Sequence, residues 1–302
     1  MREAERLPAL GLAQLAASVV LLASAWPVTK QAINLGASPI WFAVGRAGFS
    51  ALVALLLLAA MRRVRLPGRR DLPALLGVGL LQLAAFFAFA HLAVAWVPAG
   101  RTAVLSNVTT IFVVPLSMLV LKEHIPPRRW LAAGLGVVGV VVLMGPWAID
   151  WSKPDVLIGH VFLLAAAAAF SGAIIIVRRF PPRLSMFQLL PWCFGLATCV
   201  LLPLAALHGG GIGVWPAPAL GAMGYIGAFA GPVGTWCVME AAASLPAMVS
   251  SVGLLLTPAA GLLLATWWLG EALGVDLLAG TALILGGVGF AAWPRRPGRN
   301  MR

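Results

Sequence analysis

Three ionisable side chains fall well inside apolar stretches of this chain: Arg46, His91 and Glu240. A fourth, Arg101, stands near the start of another such stretch. A charge at the centre of a bilayer costs on the order of 2.5–3.5 kcal/mol, so such groups are expected to face water or a partner. The chemistry open to them is electrostatic. Arg46, His91 and Arg101 would guard one vestibule and Glu240 the other. The plainer reading has the arginines snorkelling to headgroups, His91 bonding a neighbouring helix and Glu240 reaching water. Uncharged polar groups occupy the middle depth: Gln82, the cluster Ser106, Asn107, Thr109 and Thr110, then Ser171 and Thr235, and the cluster Ser250, Ser251 and Thr257. A single Ser or Thr in a helix usually bonds its own backbone. Asn107 is the more informative, because an amide needs several partners. Trp192 and Trp236 lie deep in apolar runs and Trp26 stands beside Pro27. With Phe86 they could wall a pocket for an apolar or aromatic solute, or simply fill the bundle.

Enzyme signatures are missing from the sequence. There is no HExxH, GxSxG, Walker A or DxxxD pattern, and of nine acids only Glu240 falls well inside an apolar stretch, Asp276 standing at the edge of one. Cys193, Cys199 and Cys237 have neither metal nor disulfide spacing. No catalytic residue, metal or cofactor is expected.

The elements that must hold these groups follow from composition. The chain is 61% hydrophobic and 10% charged, against about 25% charged in soluble domains. A span takes about 20 apolar residues. Gly, Pro and short basic clusters cut the sequence into ten such stretches, near 8–29, 39–61, 72–95, 98–121, 129–147, 156–178, 185–207, 217–242, 246–269 and 275–293. The expected fold is therefore an all-α polytopic membrane protein of ten transmembrane helices. Of the 21 Lys and Arg, all but Lys30, Arg46, Arg101 and Lys153 fall on one side if the N-terminus is cytoplasmic. That bias predicts both termini inside. It also accounts for the net charge of +12 without nucleic acid, because the basic residues sit in short loops beside helices. Arg2, Arg6 and the small residues Ala23-Ser24-Ala25 imitate a cleaved signal peptide. Trp26-Pro27 and Lys30 argue for a retained first helix.

The chain reads as one unit written twice. Pro98-Ala99 and Pro246-Ala247, Leu121-Lys122-Glu123 and Leu269-Gly270-Glu271, and Lys30 and Arg178 are each 148 positions apart. Residues 1–150 and 151–302 would be two five-helix repeats, and an odd count inverts the second copy. Inverted repeats place a substrate site between them near the midplane. Glycines in helices five (Gly134, Gly136, Gly139) and ten (Gly280, Gly286, Gly287, Gly289) predict close packing, with no polar groups to make a site. Prolines 27, 115, 191, 203, 232 and 258 predict bent helices around a cavity.

These motifs resemble the drug/metabolite transporter (DMT) superfamily and its EamA-type ten-helix carriers. The resemblance rests on Ala25-Trp26-Pro27 with Lys30, on Pro39 with Arg46, on Thr257-Pro258 running to Leu269-Gly270-Glu271, and on the matching Leu121-Lys122-Glu123. Thr110 replaces the proline of helix nine, so helix four is expected to be straighter there. Within the superfamily the chain looks most like the YddG-type exporters of aromatic and other neutral amino acids. That resemblance implies a cavity among helices one to four and six to nine in a bacterial-type inner membrane. Helices one and six lack the carboxylate of proton-coupled cationic-drug carriers, which favours neutral or zwitterionic cargo. A proton-coupled drug or other metabolite exporter of the same fold is the alternative. The expected partners are a small-molecule substrate and the lipid bilayer, and a monomer is the simplest assembly.

Overall fold

The computed structural model describes residues 9–145, 147, 152–208 and 211–292. Arg2, Arg6, Trp151, Trp293 and the arginines beyond 293 lie outside these residues, as does the side chain of Ser251. The described residues form ten helices. Seven are long and apolar enough to cross a membrane: α1 (Ala9–Asn34), α2 (Pro39–Ala60), α3 (Leu72–Trp96), α4 (Ala99–Leu121), α5 (Pro127–Met144), α6 (Pro154–Arg179) and α7 (Met186–Leu207). They are followed by α8 (217–244), α9 (247–269) and α10 (Val275–Ala292). Prolines open α2, α5 and α6, where their missing N–H costs nothing and their φ suits a first turn. Ser185 and Gln188 open α7 with a capping box.

The repeat seen in the sequence is also a repeat of irregularities. A π-helical stretch widens α3 at Gly77–Ala85 and α8 at Ile226–Val233. Pro232 explains the second, since it has no N–H to give. No proline lies in the first, where Gly77 and Gly79 bring the backbone close to Ile176 and Leu196. Helices α4 and α9 are each broken near the middle, α4 at 106–108 and α9 at Leu255. Both end in a left-handed residue, Lys122 (φ 53°) and Gly270 (φ 68°).

The break in α4 corrects the expectation that Thr110 would leave it straighter. Asn107 Nδ2 donates to the Ala103 carbonyl at 2.7 Å. That acceptor would otherwise serve the backbone N–H of Asn107, which turns instead to the Val104 carbonyl at 3.1 Å. The side chain thus displaces a helical bond, as Pro258 removes one in α9.

The two repeats interlock. Helix α3 packs along α6, and the last part of α8 along α1. Helix α2 lies between α7 and the π-stretch of α8. Ser50 Oγ donates to the Gly227 carbonyl at 2.9 Å there. Helices α5 and α10 pack on each other at the periphery. A Cβ on Gly139 would stand 2.9 Å from the Gly280 carbonyl, and one on Gly287 2.9 Å from the Ala132 carbonyl. Gly134 and Gly286 face open space instead, so only part of the small-residue pattern is contact.

Candidate functional site: a central cavity and its two ends

A cavity of about 310 Å³ lies at the centre of the bundle. Both π-stretches contribute to its wall, through Gln82 and Leu83 on one side and Ala230 and Gly231 on the other. Asn107, at the break in α4, and Thr257, just past the break in α9, complete its polar lining with Thr235 and Arg46. Trp26, Phe86, Phe87, Phe170 and Phe194 supply the apolar surface. Phe86 meets Phe170 edge-on at 5.5 Å and Trp26 at 6.1 Å between centroids. No Asp or Glu is among the lining residues.

Of the residues named from sequence, the cavity gathers Asn107, Gln82, Phe86, Thr235, Thr257, Trp26 and Arg46. Arg46 sits in the cavity wall, not at a mouth. It is 8% exposed, and its guanidinium lies 4.2 Å above the Phe87 ring. His91 is fully buried behind that wall. Its Nδ1 is 2.8 Å from the Phe87 carbonyl, and its ring packs on Trp26, Phe42 and Phe87. Ser106 is buried without lining the cavity. Ser250 is buried and bonds the Ala241 carbonyl. Ser251 cannot be placed because its side chain lies outside the described residues. Trp192 stands apart, its indole N–H donating to the Arg65 carbonyl at 2.9 Å in the loop before α3. Trp236 packs on Phe187 and donates to exposed Glu240 at 3.2 Å, also off the cavity. Thr110 lines two neighbouring hollows. One, about 160 Å³, shares Asn107 with the cavity; the other, about 250 Å³, reaches Arg178. Arg101 pairs with Asp276 and donates to the Leu143 carbonyl at 2.6 Å, tying α4 to α10 and α5.

The sequence did not reveal Phe87, Phe170 and Phe194 as lining residues, because an apolar aromatic in an apolar helix carries no mark of which way it faces. It put Arg46, His91 and Arg101 at one end of the cavity and Glu240 at the other, and did not reveal the groups that meet there. At one end, Glu271 follows α9 and accepts from the backbone N–H groups of Ala99 (2.6 Å) and Gly100 (2.8 Å), at the start of α4. A carboxylate there satisfies orphan donors and meets the positive end of the helix dipole. Beside it, Lys30 Nζ donates to the carbonyls of Val94 (2.7 Å), Ala95 (3.1 Å) and Val97 (3.3 Å), at the end of α3. Helices α1, α3, α4 and α9 are drawn together by this clasp.

The equivalent residues at the other end are Arg178 and Glu123. They pair with each other at 2.9 Å, half-exposed. The first half of α4 packs along the second half of α9 at the clasped end, whereas the first half of α9 makes much sparser contact with the second half of α4. The bundle is thus clasped at the Lys30–Glu271 end and parted at the Arg178–Glu123 end. The signal for this was the 148-residue spacing of both pairs.

A larger hollow of about 440 Å³ lies on the flank of the bundle between α1 and α8. It holds no charged side chain, and Leu35, Pro218, Gly221 and Trp268 on its walls are exposed. It offers little to select a solute, so the polar and aromatic central cavity is the candidate site.

Ten helices in two repeats around a central cavity define a multi-pass membrane transporter. The EamA-like transporter family model matches residues 9–145 and 157–293. The chain belongs to that family, which is one of transporters and not of enzymes. It is 28% identical over 271 residues to an uncharacterized transporter of Bacillus subtilis, covering 89% of this chain and 87% of that one. It is 27% identical over 277 residues to a Streptantibioticus cattleyicolor protein named "Probable terminal-alkyne amino-acid exporter", covering 90% of this chain and 91% of that one. An S-adenosylmethionine uptake transporter of Rickettsia prowazekii is 30% identical over a shorter stretch, 36% of this chain and 35% of its own. The fold matches a solved crystal structure with a TM-score of 0.65 at 19% identity, over 92% of this chain and 95% of that one.

Proposed function

We propose that the protein is an alternating-access exporter of small metabolites, with aromatic and other neutral amino acids as its cargo, in the manner of the YddG-type exporters. The halves 1–150 and 151–302 would rock about the central cavity of a monomer in a bacterial-type inner membrane. Both termini would be cytoplasmic. The Arg178–Glu123 end would then face the cytoplasm, beside Arg62, Arg63, Arg65, Arg69 and Arg70, and this conformation would be inward-open.

One observation supports the reading: at one end of the cavity Glu271 and Lys30 hold backbone groups of α4 and α3, whereas at the other the repeat-related Glu123 and Arg178 hold each other and α4 and α9 pack sparsely. In the opposite state Glu123 would cap the start of α9, as Glu271 now caps α4, and Glu271 would let go. Asn107, Gln82 and Thr257 would hold the polar end of the solute, and the aromatic wall its side chain. The amino-acid exporter among the relatives supports this cargo. Counterflow of labelled phenylalanine and threonine in proteoliposomes tests it. Saturable exchange indifferent to a pH gradient is expected. Proton-driven movement of a cationic dye with no amino-acid flux would overturn it.

A further inference from the structure

Arg46 presents a guanidinium that the fold does not use up. Its Nε and Nη1 are buried and have no hydrogen-bond partner among the described residues, although the side chain is more than nine-tenths buried and lines the cavity. A structural arginine in lipid is saturated by carbonyls or a carboxylate, because each unmet donor is costly. Arg101 shows the difference, pairing with Asp276 and Leu143. The Phe87 ring beneath Arg46 steadies the planar group. Thr257 Oγ1, also on the cavity wall, is likewise buried and unpartnered. No acid among the lining residues balances the charge.

We infer that Arg46 is the anchor for the carboxylate of the cargo, and that the cavity selects an aromatic monocarboxylate whose amino group is not required. A planar fork of N–H donors fits a carboxylate in a way no other group does. A monoanion entering the cavity supplies the missing counter-charge. Its flat body then lies among Trp26, Phe86, Phe170 and Phe194. An ammonium group would find only amides, hydroxyls and ring faces, so it adds little. The inference rests on the cavity being the transport site and deepens that reading by naming what the site recognises.

Three ligands that differ at one group test it on the full-length protein in proteoliposomes: phenylalanine, 3-phenylpropanoate (no ammonium) and phenylalaninamide (no carboxylate). Flux of the first two is followed directly, and each of the three is also used as competitor. Both carboxylates are expected to be carried and to compete. The amide should compete at least tenfold more weakly, about the loss expected for one charge-assisted hydrogen-bond pair. Arg46→Gln should erase that difference, and Arg46→Lys should restore part of it. Equal competition by the amide in the wild-type protein overturns the inference while leaving amino-acid export standing. Flux of 3-phenylpropanoate without phenylalanine supports the inference and overturns amino-acid export. Failure of both carboxylates to bind overturns the inference outright. The wild-type comparison decides even if Arg46 variants do not fold.

Discussion

Glu271 and Glu123 hold equivalent places after α9 and α4, and they do different work. Glu271 lies on the backbone N–H groups of Ala99 and Gly100, whereas Glu123 is paired with Arg178. A symmetric sequence thus adopts an asymmetric structure. Two charged pairs of this kind give a carrier two similar ways to close. The energy separating them need only be a few kcal/mol for cargo to tip the balance.

Gly100 is where the clasp can be jammed. A Cβ there would stand 2.7 Å from Leu262 Cδ1 and 3.2 Å from Glu271 Oε2. Gly100→Val should therefore hold α4 off Glu271 and lower exchange at least tenfold while substrate binding in detergent persists. Lys30→Met, which removes the donor to Val94, Ala95 and Val97, should act the same way. Wild-type exchange rates in both variants would count against the clasp as part of the cycle.

Asn107 serves the fold and the cavity at once. Asn107→Ala frees the Ala103 carbonyl to accept a helical bond again, so α4 should straighten and the cavity lose its amide. The expected result is loss of phenylalanine flux, with a melting temperature within a few degrees of wild type. Normal flux in a correctly folded variant would remove Asn107 from the site.

Arg101 and Asp276 are scaffold. Their side chains are 12% and 17% exposed, and they join α4 to α10. Leaving Arg101 without its carboxylate should cost on the order of 1–3 kcal/mol, less than for a fully buried pair. Asp276→Asn should therefore lower the melting temperature in detergent and leave the affinity for substrate unchanged. A shift in affinity with no change in melting would reverse the assignment.

Much of this arrangement was legible in the sequence. Ten apolar stretches gave ten helices with ends within a few residues, because span length is dictated by the bilayer. The repeat was visible in matched dipeptides, and the polar residues of α3, α4 and α9 pointed to the cavity through Gln82, Asn107 and Thr257. Depth and direction were harder. Arg46 reads as a vestibule residue when its height is counted along a straight helix, yet it reaches the central cavity over Phe87. Trp192 and Trp236 read as cavity walls because they fall mid-helix, but helix rotation aims them at Arg65 and Glu240. The π-stretch of α3 has no proline to announce it. The clasp was hidden because backbone N–H and C=O groups, its partners, are the same in every sequence.

Asp71, in the loop before α3, ties that loop to the one between α6 and α7. It accepts from Leu184 N (3.0 Å), Gly68 N (2.9 Å) and Arg183 N (2.7 Å). These bonds, first that from Leu184, hold its carboxyl below the usual carboxylate range. A group whose native pKa is depressed stabilises the fold above its unfolded pKa, and the contribution fades as pH falls toward the native value. Melting of the wild type should therefore fall with acidification below about pH 4. Asp71→Asn should flatten that dependence and melt lower at neutral pH. An unchanged acid limb in the variant would contradict the role.

Access to the cavity from each end tests the account most directly. A single cysteine replaces Gln82 in a background where Cys193, Cys199 and Cys237 are serine. An impermeant maleimide is then added to one face or the other of oriented vesicles. In the resting protein it should react from the Arg178–Glu123 face and hardly from the Lys30–Glu271 face. Adding Glu271→Gln, which weakens the caps on Ala99 and Gly100, should bring up reaction from the second face. Equal reaction from both faces of the resting protein, or no effect of Glu271→Gln, would contradict an alternating-access carrier clasped at that end.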